Sequence, residues 1–163
     1  KSKDIDLLIG INELEKFKGI GLSKNDRLKK YEIKREEIDV DVYVEGYSNF
    51  VIPSIELKNY KTVVEGFQIV RPEILIILKQ SAYKDRKNSV KGEKDMIDIM
   101  SLIFFGGVDL NEYNKILEKY KIEFYYDELK RSIKNFQNYN AIGLNPREFK
   151  LKKTKIIEKM RRI

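Results

Sequence analysis

Two aspartates stand two residues apart near the start of the chain, in a pattern that predicts a β-strand. Side chains in a strand alternate between faces and the rise is about 3.3 Å per residue, so Asp4 and Asp6 project from one face with their Cα atoms roughly 7 Å apart. Carboxylates that converge repel each other unless a cation neutralises them, and divalent cations prefer oxygen ligands. The pair predicts a metal site. The alternative is a solvated edge strand, since Asp-x-Asp often occurs by accident. The residues predicted to face the core are Ile5, Leu7 and Ile9.

A second aspartate pair, Asp39 and Asp41, lies in a strand predicted over residues 36–45. Apolar residues alternate with the acids there, which is typical of a half-buried strand. If this strand lies beside the first, up to four carboxylates share one sheet face, and that is costly without cations. The arrangement strengthens the metal-site interpretation. The predicted buried residues are Ile38, Val40, Val42 and Val44.

Composition limits the chemistry. The 163 residues contain no cysteine, which excludes disulfides and thiolate sites, and no histidine, which excludes triads built on a histidine base. The net charge of +7 favours an anionic partner such as RNA, DNA or a nucleoside triphosphate, although charges of both signs also suit a merely solvated surface. No apolar run has the length of a membrane span, and no signal peptide precedes the first strand, which predicts a soluble cytoplasmic protein.

The pattern of elements predicts an α+β fold, with a sheet core over residues 1–70 and a helical half over residues 71–163. In the first half we expect a short helix over 12–18, a turn over 23–26, strands over 28–34 and 36–45, and a hairpin over 60–70. In the second half we expect helices over 72–86, 93–105, 110–120, 125–139 and 146–163.

The helical half carries its own charged candidates. Lys79 and Arg86 share one face of the helix predicted over 72–86, as a stripe aimed at phosphates or as an ordinary solvated stripe. Asp95 and Asp98 begin the next helix, where acidic residues commonly complement the helix dipole. The basic C-terminal end is either a nucleic-acid contact or a solvated terminus.

These motifs together resemble a known family. In their order and spacing they are similar to the AbiEii-type branch of the nucleotidyltransferase superfamily. The motifs that carry the resemblance are Ser2-Lys3-Asp4-Ile5-Asp6-Leu7, the later Ile38-Asp39-Val40, Pro72-Glu73 followed by Lys79-x-x-Ala82-x-x-x-Arg86, and Lys94-Asp95-x-x-Asp98. This branch is related to DNA polymerase beta and to toxins of abortive-infection toxin-antitoxin systems. The resemblance covers about residues 1–102 and implies a small mixed-sheet core followed by helices.

The resemblance assigns roles to individual residues. Asp4 and Asp6 would bind Mg²⁺ (or Mn²⁺) and the triphosphate, and a third carboxylate would come from Asp39 or Asp41, with Asp39 preferred. Further residues that it places in or near the site are Lys79 and Asp95, supported by Arg86, Lys94 and Asp98. The family's Gly-Gly-Ser/Thr turn and its helix precede the Asp-x-Asp strand and do not occur in this sequence, so we expect either a fragment of a longer protein or a lost turn.

The implied function is that of an enzyme which moves a nucleoside monophosphate from a nucleoside triphosphate to a hydroxyl acceptor. RNA such as tRNA is the expected acceptor, a protein hydroxyl is another, and an antitoxin protein is a further expected partner. One alternative is a catalytically silent basic module that binds nucleic acid or a partner protein. Another is a metal-dependent nuclease or phosphohydrolase.

Overall fold

The computed structural model describes residues 4–163 and has an α+β architecture. Its strands are β1 (Asp4–Ile9), β2 (Leu22–Asn25), β3 (Lys30–Ile33), β4 (Asp39–Val44), β5 (Lys61–Val64) and β6 (Phe67–Val70). Its α-helices are α1 (Pro72–Arg86), α2 (Val90–Phe105), α3 (Leu110–Tyr120), α4 (Phe124–Asn135) and α5 (Pro146–Met160). Short 3-10 helices cover Ile11–Phe17, Ser54–Tyr60 and Tyr139–Ile142. None of the helices within residues 4–163 combines the length and the apolar composition that a membrane crossing needs.

The chain divides into two compact units, one that ends at Asn59 and one that spans Tyr60–Ile163. The sequence placed the boundary after residue 70, whereas the β5–β6 hairpin belongs to the helical unit. The backbone amide of Arg71, just after the hairpin, donates to the carbonyl of Tyr60 at 2.8 Å. The hydroxyl of Tyr60 lies 3.1 Å from that of Tyr120 at the end of α3. These bonds join the start of the hairpin to the helices.

The first unit is built on a mixed sheet with the strand order β1-β4-β3-β2. β1 is parallel to β4, and the other neighbours are antiparallel. Strand β2 replaces the turn that the sequence predicted over residues 23–26. Leu-Ser-Lys-Asn has little strand preference of its own, so β2 depends on its pairing with β3, to which the Ser23 hydroxyl adds a bond by donating to the Glu32 carbonyl at 3.1 Å.

The buried side of this sheet is smaller than the alternation predicted. Val42 and Val44 are buried, as the sequence predicted, and Ile33 of β3 is buried too. Ile5 and Ile38, however, are each 45% exposed. The predictions for these two residues were wrong, because β1 is at the edge of the sheet and Ile38 precedes the first paired residue of β4. Leu7 and Ile9 are only half-buried.

The helical unit has an apolar core that encloses a buried polar network. The Tyr113 hydroxyl donates to Gln80 Oε1 at 2.5 Å, and Gln80 Nε2 donates to the Tyr125 carbonyl at 2.9 Å. Burial raises the pKa of Tyr113, which therefore stays a neutral donor. The network links α1, α3 and α4 and satisfies polar groups that would otherwise be costly to bury. The largest fully buried side chains of this unit are Tyr113, Ile74, Ile76, Ile77, Ile99, Met100, Leu117, Leu129, Ile133 and Met160.

Helix ends follow local signals closely. Asp109 caps α3 by accepting from the amides of Asn111 and Glu112, and the Glu112 carboxylate accepts from Arg71 Nη2 at 3.1 Å. Asn145 and Glu148 form a full capping box at α5. Helix α5 ends at Met160 and α4 at Asn135, both earlier than predicted.

Helix α2 begins earlier than predicted because Ser89 caps it, with its hydroxyl accepting from the Gly92 amide at 3.1 Å. A Cβ at Gly92 would lie 2.2 Å from the Arg86 carbonyl oxygen and 3.0 Å from that of Lys87. We expect Gly92→Ala to lower the free energy of unfolding by about 1 to 2 kcal/mol, since the end of α1 must shift.

Urea denaturation followed by circular dichroism measures this change. Gly10→Ala is the matched control, because Gly10 has an ordinary φ of −69° and the nearest atom to its added Cβ is the end of the Glu13 side chain, 3.9 Å away. Equal unfolding midpoints for the two variants would contradict the close contact at Gly92.

Candidate functional site: an acidic face on strands β1 and β4

The register of β1 and β4 brings the two aspartate pairs side by side. Asp4 pairs with Asp39 and Asp6 pairs with Asp41 across adjacent parallel strands. Neighbouring strands lie about 4.8 Å apart, and paired residues in a sheet point to the same face. The opposite face of β4 carries the buried Val42 and Val44. The sequence predicted both pairs on half-buried strands, and the tertiary fold makes those strands neighbours.

Two lysines neutralise the β4 pair. Lys34 Nζ donates to Asp39 Oδ2 at 3.0 Å, and this hydrogen bond lowers the pKa of Asp39. Lys30 Nζ contacts Asp41 Oδ2 and lies 3.1 Å from Glu32 Oε1. The bond from Lys30 lowers the pKa of Glu32. Burial disfavours the charge on Lys30, but its hydrogen bonds to Asp41 and Glu32 outweigh that effect, and the pKa of Lys30 is raised. Sequence reasoning missed both lysines, although their alternation with Glu32 placed all three on one strand face.

The two lysines differ in how firmly they are held. The side chain of Lys30 is only 11% exposed and has two carboxylate partners, whereas that of Lys34 is 63% exposed and has one. An exposed ion pair contributes little free energy, so Lys34 can leave Asp39 at small cost. The Lys30–Asp41 pair is part of the packed sheet. Asp39 is therefore the more available of the two carboxylates.

The carboxylate oxygens of this face are the type of ligand that a hard divalent cation prefers. Carboxylate oxygens in facing positions are the ligands that Mg²⁺ and Mn²⁺ accept. Within residues 4–163, however, no three acidic side chains converge closely enough to hold a metal ion. Lys34 and Lys30 already bind Asp39 and Asp41, so the β4 half of the face is held by ammonium groups. A metal ion would have to replace at least Lys34.

The predicted residues of the helical unit form a separate cluster. Arg86 binds Asp95 through two bonds, Nε to Oδ2 at 2.6 Å and Nη2 to Oδ1 at 2.8 Å. Lys79 Nζ lies 2.6 Å from Asp98 and 3.6 Å from Asp95. Four predicted site residues thus come together and join α1 to α2. Lys94, the fifth, is exposed on α2.

This cluster is internally balanced, with two cations facing two carboxylates. Asp95 is only 2% exposed, so its charge depends on Arg86 and Lys79. The sequence interpretation of Asp95 as a dipole complement missed these partners, since they lie on another helix. The acidic strand face belongs to the first unit and this ion-pair cluster to the second.

Comparisons with protein-family models, curated proteins and solved structures find no match to this chain.

Proposed function

We propose that this chain is a metal-dependent nucleotidyltransferase that moves a nucleoside monophosphate from a nucleoside triphosphate to a hydroxyl acceptor. The observation that supports the proposal is the register of Asp4 with Asp39 and of Asp6 with Asp41 on adjacent parallel strands. Paired carboxylates on one rigid sheet face are a suitable arrangement for holding a metal-bound triphosphate. The motif resemblance to the AbiEii-type branch supports the same assignment.

Asp4, Asp6 and Asp39 would hold magnesium once their side chains close on it and Lys34 leaves Asp39. The bound ion would neutralise triphosphate charge and lower the pKa of an attacking hydroxyl. The acceptor oxygen attacks the α-phosphorus and forms a new P–O bond. The bond from that phosphorus to the oxygen bridging the β-phosphate breaks, and pyrophosphate leaves with the electron pair. The hydroxyl proton passes to a carboxylate of the same face, Asp39 or Asp41, which acts as the general base.

The resemblance gives Lys79 and Arg86 the task of neutralising phosphate charge. In the helical unit each already binds a carboxylate, so each would exchange Asp98 or Asp95 for a phosphate oxygen in that role. RNA is the proposed acceptor, in keeping with the net charge of +7. An antitoxin partner enters the proposal through the resemblance alone.

A second candidate is a catalytically silent module that binds nucleic acid or protein and keeps the sheet as a scaffold. The observation that favours it is the neutralisation of Asp41 and Asp39 by Lys30 and Lys34. In that case the carboxylates form ion pairs that stabilise the sheet. Magnesium and nucleotide then find no binding site and do not raise the melting temperature of the protein.

The deciding experiment incubates the protein with Mg²⁺ or Mn²⁺, total RNA and each α-labelled nucleoside triphosphate in turn. Transfer predicts label on RNA with pyrophosphate released, and the nucleotide that labels RNA is the substrate. A thermal shift with magnesium and that nucleotide should accompany it, since ligands that bind only the folded state stabilise it. No label and no shift would favour the silent module. Inorganic phosphate or RNA fragments without labelled RNA would favour a phosphohydrolase or nuclease.

A further inference from the structure

The excess positive charge of this protein belongs to one unit. Tyr60–Ile163 contains 22 Lys and Arg against 14 Asp and Glu, a net charge of +8. The unit that ends at Asn59 contains 11 basic and 12 acidic residues, a net charge of −1. Attraction of a polyanion is therefore expected at the helical unit and not at the acidic sheet.

A cleft of about 780 Å³ opens in this basic unit where α1, α2 and the end of α4 meet. Among the described residues that line it are three cations, Lys84, Lys87 and Arg131, and one carboxylate, Glu128. Within the described residues none of these three cations forms an ion pair with a carboxylate. By contrast, Lys79 and Arg86 of α1 form ion pairs with Asp98 and Asp95.

The remaining lining supplies groups that recognise a base. Ser132 and the amides of Asn135, Gln137 and Asn138 offer both donors and acceptors, as the edges of nucleobases require. Tyr83, which is half-buried, also lines the cleft, and an aromatic ring is a group on which a base can stack. The volume lies within the range of about 300 to 1,000 Å³ that is typical of small-ligand sites, which is enough for one nucleotide.

We propose that this cleft binds one unstacked nucleotide of a single-stranded nucleic acid, with its phosphates on Lys84, Lys87 and Arg131 and its base against Tyr83 and the amides. A base can enter a cleft of this kind only from a strand that is not paired, which sets single strands apart from duplexes. The role of the cleft as the site of the acceptor strand rests on the proposed transferase function. As a binding site the cleft is independent of nucleotide transfer.

Fluorescence anisotropy of a short labelled RNA strand tests the site, without magnesium or triphosphate. The triple variant Lys84→Gln, Lys87→Gln, Arg131→Gln is expected to bind at least ~10-fold more weakly and to lower the salt-dependence slope by about two, since each phosphate contact on a single strand contributes about 0.7. The matched control is Lys115→Gln, Lys121→Gln, Lys155→Gln, which removes the same charge from exposed positions of the same unit. Equal weakening in both triple variants would overturn the proposal in favour of diffuse attraction.

Base recognition needs its own variant. Tyr83→Ala is expected to weaken binding by about 5-fold or more, whereas Tyr83→Phe keeps the ring and should bind as the unaltered protein does. Circular dichroism melting shows that each variant is folded. Unlabelled nucleoside monophosphate should compete weakly and a DNA strand of the same sequence more strongly. Equal affinity for a duplex, or competition by the free monophosphate alone, would contradict a strand-binding cleft.

Binding of the RNA strand and transfer of the nucleotide belong to different units and can be measured separately. Asp6→Asn changes the sheet unit and should leave binding of the RNA strand unchanged, whether or not it alters transfer. If the protein binds the RNA strand but transfers no nucleotide, the result supports the binding cleft and contradicts the transferase activity. If the cleft triple variant transfers nucleotide to RNA as fast as the unaltered protein when RNA is limiting, the cleft is not the acceptor site.

Discussion

Asp6→Asn is expected to reduce nucleotide transfer on the order of 100-fold or more, because loss of even an outer partner of a metal ligand commonly costs 10- to 100-fold. The change removes one negative charge from the face where Asp6 pairs with Asp41 in the β1–β4 register. Asp6 is exposed on β1, so the melting temperature should change little. Asp4→Asn should behave in the same way, since Asp4 faces Asp39. Labelled transfer to RNA and a thermal melt measure the two effects separately.

Asp26→Asn is the matched control for this pair. It makes the same chemical change in the same unit, but Asp26 follows β2, at the opposite edge of the sheet from β1. Its partners there are Lys24, at 2.7 Å, and the Tyr47 hydroxyl, at 3.0 Å. Transfer by this variant should remain at the original rate. If Asp4→Asn and Asp6→Asn both retain activity, the acidic face is not the catalytic site.

Asp95→Asn is expected to lower the free energy of unfolding by about 3 kcal/mol, the lower end of what breaking a buried ion pair costs. The value is at the lower end because the side chains of Arg86 and Lys79, its partners, are 42% and 35% exposed and regain water when the carboxylate is lost. The amide keeps the shape of the carboxylate but removes the charge that draws both cations onto α2. Urea denaturation measures the change.

Asp98→Asn is the matched control for Asp95. Its carboxylate binds the same Lys79, at 2.6 Å, but is 50% exposed. An exposed pair is worth at most about 1 kcal/mol, so this variant should unfold near the original midpoint. Equal midpoints for the two variants would show that burial of Asp95 does not determine the strength of the cluster. A large loss only at Asp95 would identify it as the charge that joins α1 to α2.

The balance of this cluster bears on function. Lys79 and Arg86 fall on one helix face, and from the helix alone they form a basic stripe open to phosphate. Two carboxylates from α2 neutralise that stripe, while the neighbouring Lys84 and Lys87 line a cleft with a net positive charge. Competition between phosphate and Asp95 or Asp98 would weaken phosphate binding at Lys79 and Arg86. Among the described residues that line the cleft, Glu128 is the one carboxylate that can compete for its cations, and Lys84 Nζ also lies 4.5 Å from the centre of the Phe124 ring.

Features with strong local causes could be read from the sequence itself. Pro72 at the first helical position fixes the start of α1, and the helix runs Pro72–Arg86, the range that the sequence predicted. The Glu65-Gly66 turn sets the hairpin of β5 and β6, since both residues adopt positive φ. Asp109 and Asn145 mark helix starts because their side chains bind the first free amides. Each of these signals acts within a few residues, so no knowledge of the fold is needed.

What required the tertiary structure is contact between distant parts of the chain. Strand β2 forms only because β3 pairs with it, and the exposure of Ile5 follows from the edge position of β1. The sequence showed two aspartate pairs but not that β1 and β4 are neighbours in register, nor that Lys30 holds Asp41 more firmly than Lys34 holds Asp39. Local patterns determine which residues are helical, extended or capped, whereas the partner of a charge depends on chain segments brought together only by folding.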